Sequence, residues 1–175
     1  MTLFTRIGRA VLDALSPRLT SPSRRTGSTR PPASETLPAG GSDYPGDFVG
    51  RTTLTYAPRP GNTADPGEVV WTWVPFEEDH SQGKDRPVLV IGSDGPWLLA
   101  LPMTSKDHDR DAAQEAREGR YWVDIGSGGW DARGRASEVR VNRIVRVDPA
   151  RVRRISARVD PGVFAGVAAA VRSHW

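Results

Sequence analysis

From Gly67 onward the apolar residues fall into short runs rich in Val, Ile and Trp, separated by turn clusters, which is the pattern of a strand-built domain. Glu68 to Val74 alternates, with Val70, Thr72 and Val74 on one side and Val69, Trp71 and Trp73 on the other. Arg86 to Gly92 and Trp97 to Met103 predict two more strands, joined by Ser93-Asp94-Gly95-Pro96, whose Asp-Gly step signals a hairpin. The polar, acidic stretch 75–85 between the first two strands reads as a loop. Asp107 to Arg120 predicts a short helix, with Asp107, Asp109 and Asp111 near its start, Arg117 and Arg120 near its end, and Gly119 helping to stop it. Tyr121 to Ile125 and Glu138 to Val147 are expected strands on either side of a glycine-rich turn, Gly126 to Gly134, and Arg151 to Ile155 is a last short run. Asp160 as N-cap and Pro161 at the first helical position then open a terminal helix with an apolar stripe of Phe164, Val167, Ala168 and Val171. Five or six short strands closing on themselves, with one inserted short helix and one C-terminal helix, predict a mostly β fold, a small barrel. A barrel of this size has little interior, so a ligand must bind on its surface or between subunits.

The chain ahead of this domain has a different texture. Residues 1–15 place Leu3, Phe4, Ile7, Val11, Leu12 and Leu15 among Arg6, Arg9 and Asp13, which suits an amphipathic helix better than a signal sequence. Residues 16–64 are dense in Pro, Ser, Thr, Gly and Arg and read as a flexible linker. The expected division is therefore 1–15 helix, 16–64 linker and 65–175 barrel domain, the first two forming a flexible N-terminal arm. Tyr44, Phe48 and Tyr56 make an aromatic island inside the linker, either docked on the body, where it could lie across a binding groove, or isolated.

Composition narrows the chemistry. There is no cysteine among the 175 residues, so disulfides and thiolate zinc sites are excluded, and a cytoplasmic location is the default. No apolar run is long enough to span a membrane. The net charge of +3 hides an uneven distribution. Residues 67–115 hold four bases against ten acids, whereas residues 116–175 hold twelve bases against six acids. Such a dipolar body could meet RNA or an acidic protein through its basic half, or simply carry a mixed surface.

Two short stretches carry candidate chemistry. Arg86, at the start of an expected buried strand, offers a planar and permanently charged fork for two phosphate oxygens, and Thr104-Ser105, at the end of the next, offer hydroxyl donors. Cleavage of RNA by its own 2′-hydroxyl requires alignment of that oxygen, stabilisation of phosphoryl charge and management of two protons. Arginine and threonine serve two of those needs, and no general base is evident. The same residues also suit a bland role, a polar strand end and a cap or turn.

In order and spacing, Pro66-Gly67-Glu68-Val69-Val70-Trp71, then Gln82-Gly83-Lys84-Asp85-Arg86-Pro87-Val88-Leu89-Val90-Ile91, then Leu101-Pro102-Met103-Thr104-Ser105, resembles the MazF/PemK family of toxin ribonucleases. Ser137 to Ile144 is similar to that family's late strand, so the resemblance covers about residues 65–172. It implies an SH3-like barrel of the MazF/PemK type that forms a homodimer, cuts single-stranded RNA at short sequence motifs without a metal or other cofactor, and is silenced by a cognate antitoxin. Arg86 matches the family's catalytic arginine and Thr104 its catalytic hydroxyl, with Ser105 adding a further donor. Gln82, Lys84 and Lys106 are expected to line the RNA path. Ser81 departs from the pattern, standing where many members carry an acid.

Other chemistries fall away. Gly92-Ser93-Asp94-Gly95 lacks the nucleophile-elbow spacing, and Gly126-Ser127-Gly128-Gly129 lacks the P-loop lysine. His80 beside Glu77, Glu78 and Asp79 is a poor metal site, because consecutive loop residues rarely converge on one ion. His108 is either a proton shuttle or an exposed residue of the helix's first turn, and Trp71, Trp73, Trp97, Trp122 and Trp130 are either packing residues or base-stacking platforms. The sequence thus points to a growth-inhibiting toxin endoribonuclease, with a non-catalytic barrel that binds nucleic acid or protein as the alternative.

Overall fold

The computed structural model describes residues 44–106 and 112–175. The expected helix over 1–15, the linker residues 16–43, and Asp107 to Asp111 with His108 lie outside the described residues. The described residues belong to one compact unit.

Seven strands form one antiparallel sheet: β1 (Glu68–Pro75), β2 (Gly83–Asp94), β3 (Trp97–Thr104), β4 (Trp122–Asp124), β5 (Glu138–Arg140), β6 (Val145–Val147) and β7 (Arg154–Arg158). The order is β4-β5-β3-β2-β1-β7, with β6 also paired to β3. The expected mostly β architecture is therefore present as a curled half-barrel. The curl explains why Val88-Leu89-Val90-Ile91 is apolar at every position. Leu89 and Ile91 enter one core with Val69, Leu101 and Met103, while Val88 and Val90 enter a second with Val70, Val74 and Val145. Each such side chain contributes about 1.5–3 kcal/mol by leaving water.

Helix α2 (Pro161–His174) seals the larger core through Phe164, Val167 and Val171, and the Asp160 carboxylate caps it by accepting from Gly162 N–H at 2.7 Å. The Asp94-Gly95-Pro96-Trp97 hairpin is present, with Gly95 at φ 58°, because its first central residue needs the left-handed region and Pro96 fixes the second. Helix α1 is described over Ala112–Arg117. It ends in a Schellman pair, Gly119 N–H to Ala116 O and Arg120 N–H to Glu115 O, with Gly119 at φ 71°.

Three boundaries differ from the sequence expectation. The loop after β1 is shorter than 75–85, because β2 already begins at Gly83 and pairs with Pro75. Glu138 to Val147 is not one strand: β5 pairs with Met103 and Thr104, β6 with Leu98 to Ala100, and the curl of β3 forces a register slip between them. Asn142 occupies that break, where its side chain accepts from Tyr121 N–H and donates to Gly119 O. The last short run starts later than Arg151, as β7 from Arg154, after a 3-10 turn, Pro149–Arg151.

Residues 44–64 carry no strand or helix beyond one bridge, Phe48 to Ile144. Phe48, Leu54 and Tyr56 nevertheless pack against the larger core, and the Tyr56 hydroxyl donates to Val159 O at 3.0 Å. The ring of Tyr56 also lies against Gly67, where a Cβ would collide with it.

Candidate active site

The ladder between β2 and β3 stops at Val88 and Pro102. Pro87 and Pro102 have no N–H to continue it, so the strands part where the chain would otherwise pair Arg86 with Thr104. A cleft of about 250 Å³ opens at that place. Its walls are Trp71 of β1, Lys84 to Pro87 of β2, Met103 and Thr104 of β3 with Ser105 beyond, Trp130 and Asp131 of the glycine-rich turn, and Arg135 and Ser137 just after it. That turn is stiffened by Trp130, which is buried and donates its indole N–H to Ser137 Oγ at 3.1 Å. Trp71 in turn donates to Trp130 O at 3.3 Å, tying the turn to β1.

Arg86 is half-buried, and its buried Nε–H has no hydrogen-bond partner among the described residues. Burial, together with the charge of Arg143, holds its guanidinium below the usual arginine range. The charge of Arg86, together with burial, likewise lowers the basicity of Lys84. The acids of the cleft already have partners. Asp85 pairs with Arg153. Asp131 accepts from Arg133 N–H at 2.7 Å and from Arg135, which keeps its carboxyl below the ordinary carboxylate range. Among the described residues, neither Lys84 nor Arg86 has a carboxylate partner, so the cleft presents two uncompensated cations to an anion. Thr104 Oγ accepts the backbone N–H of Lys106 at 3.1 Å, which leaves the hydroxyl proton free to be donated outward.

The profile of the PemK-like, MazF-like toxins of type II toxin–antitoxin systems matches residues 65–174. The chain belongs to the PemK/MazF toxin family. Solved structures similar to this family member include two crystal forms of the MazE–MazF complex from Deinococcus radiodurans. Form II is 20% identical and form III 19%; each comparison covers 63% of this chain and 94% of the other, with a TM-score of 0.44. No curated protein matches the sequence. The family domain begins at the ion-paired Asp65, so the packed residues 44–64 precede it.

Of the residues singled out from the sequence of this PemK/MazF toxin, Lys84, Arg86, Thr104 and Ser105 share the cleft. Gln82 and Lys106 lie outside its lining and are exposed. The Gln82 amide donates to Asp79 at 2.6 Å, and Asp79 also accepts from Ser81, so the acidic loop is organised around that one carboxylate. Glu77 of the same loop pairs with the buried Arg140 at 2.7 Å. His80 makes an edge-on ring contact with Tyr44, centroids 5.0 Å apart. Among the described residues no group of three His, Asp or Glu side chains is arranged to hold a metal ion, and no helix is long and apolar enough to cross a membrane. None of Tyr44, Phe48 and Tyr56 lines the cleft. Sequence reasoning named Trp130 only as a packing residue or stacking platform and missed that it forms a wall of the cleft with Asp131 and Arg135. The available signal was a lone tryptophan in a glycine-rich turn, which needs a structural reason to be there.

Proposed function

We propose that this PemK/MazF toxin is a cytoplasmic, metal-independent endoribonuclease that cleaves single-stranded RNA at a short sequence motif and acts as a homodimer silenced by a cognate antitoxin. The observation that carries this reading is the partnerless Arg86 Nε–H inside a cleft shared with Thr104 and Ser105. A buried donor left unmet costs about 1–3 kcal/mol, and a phosphate oxygen is the acceptor that offsets it.

In this mechanism Arg86 holds a non-bridging phosphate oxygen, and Thr104, oriented by the Lys106 N–H, donates to the second. Ser105 adds a donor on the same side. The ribose 2′-hydroxyl gives up its proton as its oxygen bonds to phosphorus, the bond to the 5′-oxygen breaks and that oxygen takes up a proton, so the products are a 2′,3′-cyclic phosphate and a 5′-hydroxyl with no net change in protons. Lys84 steadies the adjacent phosphate, while Gln82 and Lys106 contact the strand outside the cleft. Family membership supports the dimer and the antitoxin. The alternative, a barrel that binds without cutting, is separated by one experiment. Purified protein is incubated with mixed RNA in excess chelator, and fragment ends are analysed. Cyclic phosphate ends that vanish in Arg86→Ala support the nuclease; intact RNA at high protein dose supports the binder.

A further inference from the structure

The residues just before the family domain reach toward the site without entering it. Asp47 takes the guanidinium of Arg143 through Nε at 2.7 Å and Nη2 at 3.3 Å. That guanidinium is buried and also donates to Pro75 O at 2.9 Å, the residue where β1 ends and the β1–β2 loop begins. Tyr44 donates its hydroxyl to Asp47 and lays its ring edge-on to His80 in the middle of the loop. Arg146 fixes the segment from below: it donates to the carbonyls of Gly46 and Asp47 and sits 5.2 Å over the ring of Phe48. The loop then closes on itself through Phe76 N–H to Gln82 O at 2.8 Å and runs directly into Lys84 and Arg86.

Two consequences follow from this geometry. One short segment reaches the loop at two places: at its start, Pro75, through Arg143, and at its middle, His80, through Tyr44. Asp47 also neutralises a buried cation whose charge reaches Arg86. Without it, Arg143 and Arg86 would be two like charges in a poorly solvated region, and one of them would have to move.

We propose that Tyr44–Phe48 form a strap, supplied from outside the family domain, that positions the β1–β2 loop and Arg143 beside the cleft, making Asp47 and Tyr44 positioning residues for RNA cleavage. The strap rests on the nuclease reading for its link to cleavage, but not for its link to the loop.

The test compares full-length wild type with Asp47→Asn, Asp47→Glu, Tyr44→Ala and His80→Ala. Amide hydrogen exchange is followed over residues 76–82 and in β3, alongside kcat and KM on a single-stranded RNA oligonucleotide. Exchange over 76–82 is expected to quicken by about tenfold or more in Asp47→Asn and Tyr44→Ala while β3 is unchanged, since only the local opening is made easier. In the same variants kcat should fall about tenfold with a smaller change in KM, because misplacement affects the transition state more than binding. Asp47→Glu should recover most of the loss, and His80→Ala should add nothing to Tyr44→Ala, both breaking one contact. Exchange at the wild-type rate in Tyr44→Ala, acceleration throughout β3, or a loosened loop with undiminished kcat each overturns the strap. If Asp47→Asn does not fold, Tyr44→Ala decides. A wild type that cuts no RNA defeats the nuclease reading alone, and the exchange over 76–82 then judges the strap by itself.

Discussion

Replacing Arg86 by methionine should make the protein more stable as it makes it inactive. The wild-type side chain leaves one buried N–H unmet and stands near the charges of Arg143 and Lys84, so the folded state carries a penalty that a neutral side chain of similar length avoids. The unmet donor alone is worth about 1–3 kcal/mol, and methionine keeps the apolar stem that packs there. Allowing for imperfect repacking, a gain of about 1–2 kcal/mol is expected, which for a domain of this size raises the melting temperature by roughly 3–10 °C. Because a guanidinium does not deprotonate at any ordinary pH, the penalty cannot be relieved by titration, and the substitution is the direct probe. Melting by circular dichroism at low ionic strength gives the first comparison. Sulfate against chloride at matched ionic strength gives the second: an anion seated on Arg86 at ten times its Kd should stabilise wild type by about 1.4 kcal/mol more than R86M. A variant that melts below wild type, or one that gains as much from sulfate, would show Arg86 to be a structural arginine and refute the reasoning.

Thr104→Val should lower kcat by about 10²-fold through loss of a transition-state donor, whereas Thr104→Ser keeps most activity; single-turnover cleavage measures both. Gly83→Ala should destabilise by about 1–3 kcal/mol, read from chemical denaturation, because the added Cβ runs into the Val74 carbonyl and the Trp73 ring. Asp65, held below the usual carboxyl range chiefly by its hydrogen bond from Arg59, stabilises the fold above the unfolded carboxyl pKa of about 3.9, and that contribution is lost as pH falls through its lower folded value. Asp65→Asn should therefore flatten the acid limb of the melting temperature against pH.

What the sequence could show depended on whether the signal was local. The hairpin at Gly95-Pro96 and the cap of α2 at Asp160-Pro161 are written in adjacent residues, and both form as read. That Arg86 and Thr104 stand near one another was expected from the family pattern, and they line one cleft; the physical cause, the ladder stopping at Pro87 and Pro102, emerges only from the strand register. The break between β5 and β6 was not legible, because it arises from the curl of β3, and Val139 to Val147 taken alone alternates well enough for one strand. The same holds for the contacts of the arm. Asp47 and Arg143 are 96 residues apart, and nothing near either of them in sequence requires the other.

The charge pattern along the chain differs from the one across the fold. The base-rich residues 116–175 offered a face for RNA or an acidic protein, or simply a mixed surface, and Arg120, Arg140, Arg146, Arg153 and Arg158 are paired with Glu115, Glu77, Asp94, Asp85 and Glu68, all from the acid-rich residues 67–115. Arg143 is paired with Asp47 of the arm. The imbalance along the chain is thus largely cancelled across the fold, and the cations left at the cleft, Lys84 and Arg86, come from the acid-rich half. On the proposed nuclease reading, with the exposed Lys106 counted beside them, about three phosphates would be contacted, so the logarithm of RNA affinity should fall with the logarithm of salt concentration at a slope of about −2 per cleft. Had the twelve bases of residues 116–175 been the RNA surface, the slope would be roughly −8. Fluorescence anisotropy with a labelled single strand and the slowed Thr104→Val protein distinguishes these values, and Lys84→Gln should reduce the slope by about 0.7. A slope steeper than about −5 would place the RNA on arginines that the fold has already paired, and the cleft would lose its claim.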